Sequence, residues 1–499
     1  MRGSAAVASA AAALALTVLV VGTVLLVVSP ERTSDPRVAR TDQGGLRAVA
    51  EDGMRSWRGV RFAAPPVGAR RWQPPAAPGS WDGVRNADSF GPDCVQPDLY
   101  TYGQRRLTAK QDSSEDCLFL NVVRPDDDST DLPVLVWFHG GGFIFGNAAT
   151  TAGNAGSLAS RGLIVVTVNY RLGLLGFFAH PALDTDVANF GILDQIAALE
   201  WVHENIGSFG GDPDAVTIAG ASAGAMSVNA LMSTELSRGL FDKAISQSAP
   251  GDWRAQTLEQ ARKRGGRAFP DLDAAQLRAM PAEEFLSSTF NALTGDAPIV
   301  DAVLPVRAVD AFANGTEAPV PYLVGTTAGE FSDEEFGLAG GDADAVRARL
   351  GGDDHDRLVR AYRRFGPTAF EDHVLDDLMF TAPAVALAAL HDDRAPTYRY
   401  RFAVKGAETS HGSEVVYVFD TVNDPQRKRL SRQVSAYWAA FVKTGSPEVD
   451  GLPGWPQANG TEVMLFGPRG VRGVQADDWA ARVDRLARII PLDAPLIDQ

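Results

Sequence analysis

The chain has 499 residues, of which 45% are hydrophobic, 22% charged and 8% aromatic. This is ordinary globular composition with ample material for a large core. A formal net charge of −16 with no long basic run argues against nucleic-acid binding and fits a solubilising surface.

In chain order, the first 30 residues stand apart. From Ala5 to Val28 there is no charged residue, and as a helix this run would span roughly 36 Å, against about 30 Å of hydrocarbon. It reads as a signal peptide or an uncleaved anchor. The absence of a clear small-x-small cleavage site, with Pro30 directly after Ser29, favours the anchor. Either way the expected location is extracytoplasmic, secreted or membrane-anchored. Residues 31–45 are polar and read as a linker. Residues 46–499 show no further linker and no internal repeat, and read as one domain. The two cysteines of the chain, Cys94 and Cys117, lie behind the export segment and favour one disulfide. The closed loop would contribute roughly 3.4 kcal/mol by the chain-entropy argument.

Short apolar runs then alternate with helical patterns. Strands are expected at Leu118–Val123, Val134–Phe138, Leu163–Asn169, Val216–Ala219, Tyr322–Val324 and Tyr398–Phe402. Helices are expected at 190–206, 431–445 and 477–490, where apolar residues recur at helical spacing. The alternation predicts an α/β fold with a large, mostly parallel central sheet and helices on both faces. Such sheets carry their chemistry at the carboxyl ends of the strands.

Two motifs sit at such ends. "HGGGF" (139–143) follows the apolar run "PVLVWF" directly. "GASAG" (220–224) follows Val216–Ala219 and fits G-x-S-x-G, the sharp strand-to-helix turn that lifts a nucleophilic serine, here Ser222, clear of the backbone. Alone the pattern is weak, with roughly 0.3 chance matches in a chain this long. The preceding strand and the following apolar "AMSVNALM" give it meaning. Acyl transfer places negative charge on a carbonyl oxygen, and backbone N–H groups aimed at that oxygen each contribute about 2.7–4 kcal/mol. Glycines permit the close approach, so Gly141 and Gly142 are candidate donors, with Ala223 as a third. A serine needs a base. Of seven histidines, His411 follows the last expected strand, in "GAETSHGSEVVYVF", C-terminal to the serine as the order Ser…Asp/Glu…His requires. The acid should fall between them, and "PYLVGTTAGEFSDEE" supplies Glu330, with Asp333, Glu334 and Glu335 as rivals.

With these residues in place, the sequence resembles the type-B carboxylesterase/cholinesterase family of α/β-hydrolases from about residue 46 to about 460. The likeness rests on many motifs in order: "FAAPPVGARRWQPP", "SWDGV", "GPDCVQ", "EDCLFLNV", "HGGGF", "NYRLGLLGF", "GILDQIAALEWVHENIGSFGGDPDAVTIAGASAG", "VGTTAGE", "HGSEVVYVF", "FVKTGSP" and "WP". The resemblance implies Ser222 as nucleophile, His411 as base and Glu330 as acid, with Gly141, Gly142 and Ala223 as oxyanion hole. It implies that Cys94 and Cys117 bridge, that Arg71 pairs with Glu115 and Arg171 with Asp194, and that Ser227 supports the triad from behind.

Departures narrow the substrate. The residue before the nucleophile, often Glu in the family, is Ala221. Ala225 replaces a frequent glycine, and "AGEF" replaces the usual "DEG". The segment between the cysteines holds Tyr100 and Tyr102 but no counterpart of the tryptophan that stacks on choline in cholinesterases. The chain is more similar to the broad bacterial esterases, those named for nitrobenzyl esters among them. The expected function is hydrolysis of small carboxylic esters through an acyl-enzyme, with no cofactor, metal or nucleic-acid partner implied. Two rivals remain: a non-catalytic adhesion ectodomain, and a same-fold hydrolase of amides, carbamates or lactones.

Overall fold

The computed structural model describes residues 35–97, 100–102, 105–107, 113–251, 255–286, 298–331, 353–404, 409–459, 462–467 and 470–474, and positions 482, 483 and 486. The apolar segment 1–30, the rival acids Asp333, Glu334 and Glu335, and most of the expected helix 477–490 lie outside these residues.

One sheet of 11 strands organises the chain. Its strands are β1 (Val49–Glu51), β2 (Met54–Arg61), β3 (Phe119–Pro125), β4 (Leu132–Phe138), β5 (Ile164–Val168), β6 (Gly211–Ala221), β7 (Lys243–Gln247), β8 (Tyr322–Thr327), β9 (Thr397–Phe402), β10 (Val463–Gly467) and β11 (Gly470–Val474). They lie side by side in the order β11-β10-β9-β8-β7-β6-β4-β5-β3-β2-β1. From β5 through β10 every pairing is parallel. The edges are antiparallel, β3 against β5, then β2 and β1, and β11 against β10. The sheet is therefore mixed. Its two N-terminal strands, β1 of three residues and β2 with three arginines among its eight, carry little of the continuous apolar signal that marks a buried parallel strand.

The central strands are apolar throughout because both faces are covered. Along β4, Val134, Val136 and Phe138 join one core cluster, with Ile192, Leu199 and Ile218. Leu135 and Trp137 join the other, with Ile245, Tyr400, Trp438 and Phe466. That is the two-residue period of a strand, read twice. The helices used below are α1 (Phe190–Asn205), α2 (Ala223–Ser233), α3 (Ala369–Asp376), α4 (Ala382–His391) and α5 (Pro425–Thr444). Helix α5 starts earlier than the sequence pattern indicates, at a proline preceded by Asp424, whose carboxylate caps the Gln426 amide at 2.9 Å. Gly445, at φ 74°, ends it.

Residues 35–45, expected as part of a linker, are instead structured. Val38–Arg40 pairs with Gly45–Arg47, which pairs with Val84–Asn86. Polar composition hid this small sheet, because its strands are too short to show a period. The stretch Ala369–His391 is long and apolar enough to cross a membrane. It is a core element, however, with Asp376 and Asp377 buried along it.

Candidate active site

The site lies where the strand order reverses. Strand β4 pairs with β5 on one side and β6 on the other, so the connections leaving the ends of β4 and β6 part company and open a crevice. Phe138 is in register with Gly220. The glycine loop and the serine turn therefore start side by side.

Ser222 has φ 59° and ψ −124°, a conformation that ordinary residues avoid. Small neighbours make it possible. A Cβ on Gly220 would meet the Gly224 carbonyl carbon at 2.4 Å, and one on Gly224 would meet Phe138 O at 2.1 Å. The Ser222 amide donates to Gln247 O at 2.9 Å, and its carbonyl accepts the Ala225 and Met226 amides as α2 begins. A Cβ on Gly140 would stand 3.2 Å from Ser222 Cβ, so the glycine loop runs against the serine turn. Gly141 and Gly142 both have positive φ, 109° and 61°. Their amides have no hydrogen-bond acceptor among the described residues. The Ala223 amide opens α2, where helical N–H groups have no acceptor within the helix.

His139 underlies the loop. Nδ1 donates to Gly140 O at 2.8 Å, the ring stacks on Tyr170 at 4.4 Å, and Tyr170 OH donates to His139 O at 2.7 Å. Burial pushes its pKa down to about 4, only partly opposed by the bond to Gly140. It is a neutral structural ring.

Glu330 stands three residues past the end of β8. One carboxylate oxygen accepts the Thr327 amide at 2.7 Å and the other accepts from His411 Nδ1 at 2.6 Å. The His411 amide also donates to Glu330 O at 3.1 Å. Aromatic rings pack around the imidazole, Phe331 at 4.7 Å and Phe380 at 5.0 Å. Burial by itself would lower the His411 pKa. The Glu330 hydrogen bond and the negative charges of Glu330, Glu414 and Asp376 outweigh it, and the net shift is upward. Nε2 is buried and has no hydrogen-bond partner among the described residues, so no bond joins it to the Ser222 hydroxyl. Such contacts are commonly long before substrate arrives.

The two halves meet at Gln247. Its carbonyl holds the Ser222 amide, and its side chain donates to Glu414 at 3.4 Å, three residues beyond His411. Trp438 Nε1 fixes the other end of that side chain at 3.0 Å. Glu414 and Asp376, both buried beside the His411–Glu330 pair, escaped the sequence reading. Glu414 sits inside the quoted "HGSEVVYVF", and Asp376 belongs to an acidic pair in the apolar run "VLDDLMF". A charge inside an apolar helical pattern is the signal that could have found it.

The remaining predicted residues are structural in placement. Cys94 and Cys117 are bridged. Arg71 donates to Glu115 at 2.7 Å and to Met280 O at 2.6 Å. Arg171 makes a two-pronged pair with fully buried Asp194, both bonds 2.7 Å, and its amide adds a third at 3.0 Å. Ser227 donates to Ala223 O at 3.0 Å and accepts from Gln195 at 2.9 Å. It therefore braces the first turn of α2 beneath Ser222 and makes no hydrogen bond to Glu330 or His411.

Comparison with known proteins gives a consistent match. Residues 36–348 and 368–473 match the carboxylesterase family. The chain is 34% identical over 514 residues to a fumonisin B1 esterase from Sphingopyxis macrogoltabida, covering 92% of each chain. It is 34% identical over 464 residues to a para-nitrobenzyl esterase from Bacillus subtilis (strain 168), covering 84% of this chain and 92% of that one. A solved PNB esterase superposes with a TM-score of 0.77 at 32% identity, over 90% of this chain and 99% of the other.

Proposed function

The chain belongs to the carboxylesterase family, and on that premise we propose that it hydrolyses carboxylic esters with Ser222 as nucleophile, His411 as base and Glu330 as acid. The α/β-hydrolase fold and the ester-hydrolase activity come with the family and its solved relatives. The roles of the three side chains are our reading. The observation that carries it is the buried Glu330–His411 bond of 2.6 Å, which leaves Nε2 as the free nitrogen of the ring.

In this reading Nε2 takes the proton from Ser222 Oγ as the oxygen bonds to the ester carbonyl carbon. The amides of Gly141, Gly142 and Ala223 stabilise the oxyanion. The carbonyl re-forms, the C–O bond to the alcohol breaks, and His411 gives its proton to the departing oxygen. Water, deprotonated by the same imidazole, then attacks the acyl-enzyme, and Ser222 recovers its proton as the acid leaves. Glu330 holds the ring in the Nδ1–H form and stabilises its charged state without taking the proton.

Replacing Ser222→Ala should abolish turnover of short-chain nitrophenyl esters and labelling by a fluorophosphonate, while circular dichroism shows an intact fold. Retained turnover would refute the assignment, and a wild-type chain that does not label would favour a non-catalytic binding ectodomain. Because the base must be neutral and its pKa is raised, activity should be full above that pKa and be lost as pH falls through it. A flat kcat/KM profile across the histidine range would count against His411. We further propose an extracytoplasmic location, supported by the uncharged run Ala5–Val28 and the Cys94–Cys117 bridge. N-terminal sequencing of the exported protein distinguishes cleavage from anchoring.

A further inference from the structure

Helix α3 does not pass smoothly into α4. Between them Asp377–Thr381 forms a single π-turn, an irregularity frequent at functional sites. The residue just before it, Asp376, is buried and turns its carboxylate on the segment that carries Glu330. Oδ2 accepts the Glu330 amide at 3.0 Å and Oδ1 accepts the Phe331 amide at 2.9 Å. Two successive N–H groups are thus held by one side chain from 46 positions away. A carboxylate of this length is suited to the task, because it offers two acceptor oxygens and no donor. An asparagine would face one of the two amides with its own NH2 group.

With Asp376 in place, every polar group of Glu330 is tied. Its N–H goes to Asp376 and its C=O to the His411 amide. Its carboxylate oxygens go to the Thr327 amide and His411 Nδ1. The π-turn also delivers Phe380 against the His411 ring. We propose that Asp376 is a positioning residue for ester hydrolysis, its ionised carboxylate fixing the Glu330 peptide and thereby the orientation and proton affinity of His411. This rests on the triad reading above.

The groups around Asp376 set its charge. Burial raises its pKa to about 7, against the two amide bonds, and the charges of Glu330 and Asp377 push the same way. Asp377 is itself paired with Arg482, at 2.8 Å for one of two bonds, and accepts the Tyr362 hydroxyl at 2.8 Å. His373 lies one turn earlier on α3 within the field of Asp377 and Arg482, and Glu414 faces His411 and Glu330 from the far side.

The test compares kcat and KM against pH for wild type, Asp376→Asn and Ser222→Ala on a nitrophenyl ester, normalised by fluorophosphonate titration of active sites for the first two and by protein concentration for Ser222→Ala. Asp376→Asn should lower kcat about 100-fold, the scale of an ångström-level misplacement, with little change in KM. Its acid limb should move to lower pH by at least about half a unit, because a negative charge that stabilises the imidazolium is gone. A purely structural role would lower the titratable fraction without moving the limb. Wild-type kcat with an unmoved limb overturns the proposal and leaves the triad standing, whereas turnover by Ser222→Ala overturns the triad itself. Should Asp376→Asn not fold, the wild-type limb decides. Two groups must then be unprotonated, so log kcat/KM falls with a slope above one, and a slope of one overturns the proposal.

Discussion

Gly141 and Ser222 hold the least ordinary backbone of the site, and for different reasons. Ser222 adopts φ 59° because the turn between β6 and α2 must reverse direction within one residue. The cost, of order 1–3 kcal/mol, is offset by the Gln247 carbonyl and the start of α2. Gly141, at φ 109°, has no such choice of residue. A Cβ there would lie 2.0 Å from Phe145 O, so any side chain displaces the loop whose amides we propose as the oxyanion hole. Gly141→Ala should therefore lower kcat by about 10²–10³, the value of one oxyanion donor, with KM little changed, measured by steady-state kinetics on the same nitrophenyl ester. An alanine variant with wild-type kcat would remove Gly141 from the hole. Glu330 shows the limit of residue-level reading. Position in the sequence named it beside three rival carboxylates, the family resemblance selected it, and its bonds to Thr327 and His411 are what set it beside the imidazole.

Among elements, the decisive ones are strand ends and the pieces that brace them. Strands β4, β6, β8 and β9 each release one segment of the candidate site at the same carboxyl end of the sheet, because parallel neighbours end on the same side. The bracing is polar and buried. Arg171, in the segment after β5, reaches α1 through Asp194, with side chains 4% and 0% exposed. Removing one partner leaves an uncompensated buried charge. Arg171→Ala should therefore cost about 3–5 kcal/mol, read as a lower urea midpoint at unchanged slope. The residual activity per folded molecule should stay near wild type, because neither residue touches the catalytic groups. Loss of activity in fully folded protein would show that this pair also shapes the site.

At the scale of the whole molecule, three described residues near the C-terminus reach back to the support of the site. Arg482, buried, pairs with Asp377 at the π-turn, while Val483 and Leu486 pack with Leu358, Phe370 and Phe380. A chain ending after Val474 would strand Asp377 in an apolar setting beside the carboxylate that holds Glu330. The expected loss is about 3–5 kcal/mol, seen as a lower melting temperature together with reduced esterase activity. A truncated protein with wild-type melting would show that the clamp is dispensable. By itself the sequence determined the α/β alternation, the buried parallel strands, the serine turn, the glycine loop and His411 as a candidate base C-terminal to the serine. These are local properties, set by periodicity and by the steric needs of tight turns, and they are written in consecutive residues. It also carried the cysteine pair, favoured by the cysteine count and implied again by the resemblance, and, through resemblance alone, the two arginine–carboxylate pairs. Only the tertiary structure decided the antiparallel edges, the small sheet at 38–47 and 84–86, and the place of Ser227 under the serine turn. It alone gathered Asp376 and Glu414 around His411. Their roles depend on which groups come within hydrogen-bonding or charge range after folding, and a carboxylate's burial and neighbours come from segments dozens of residues away, where no local pattern records them.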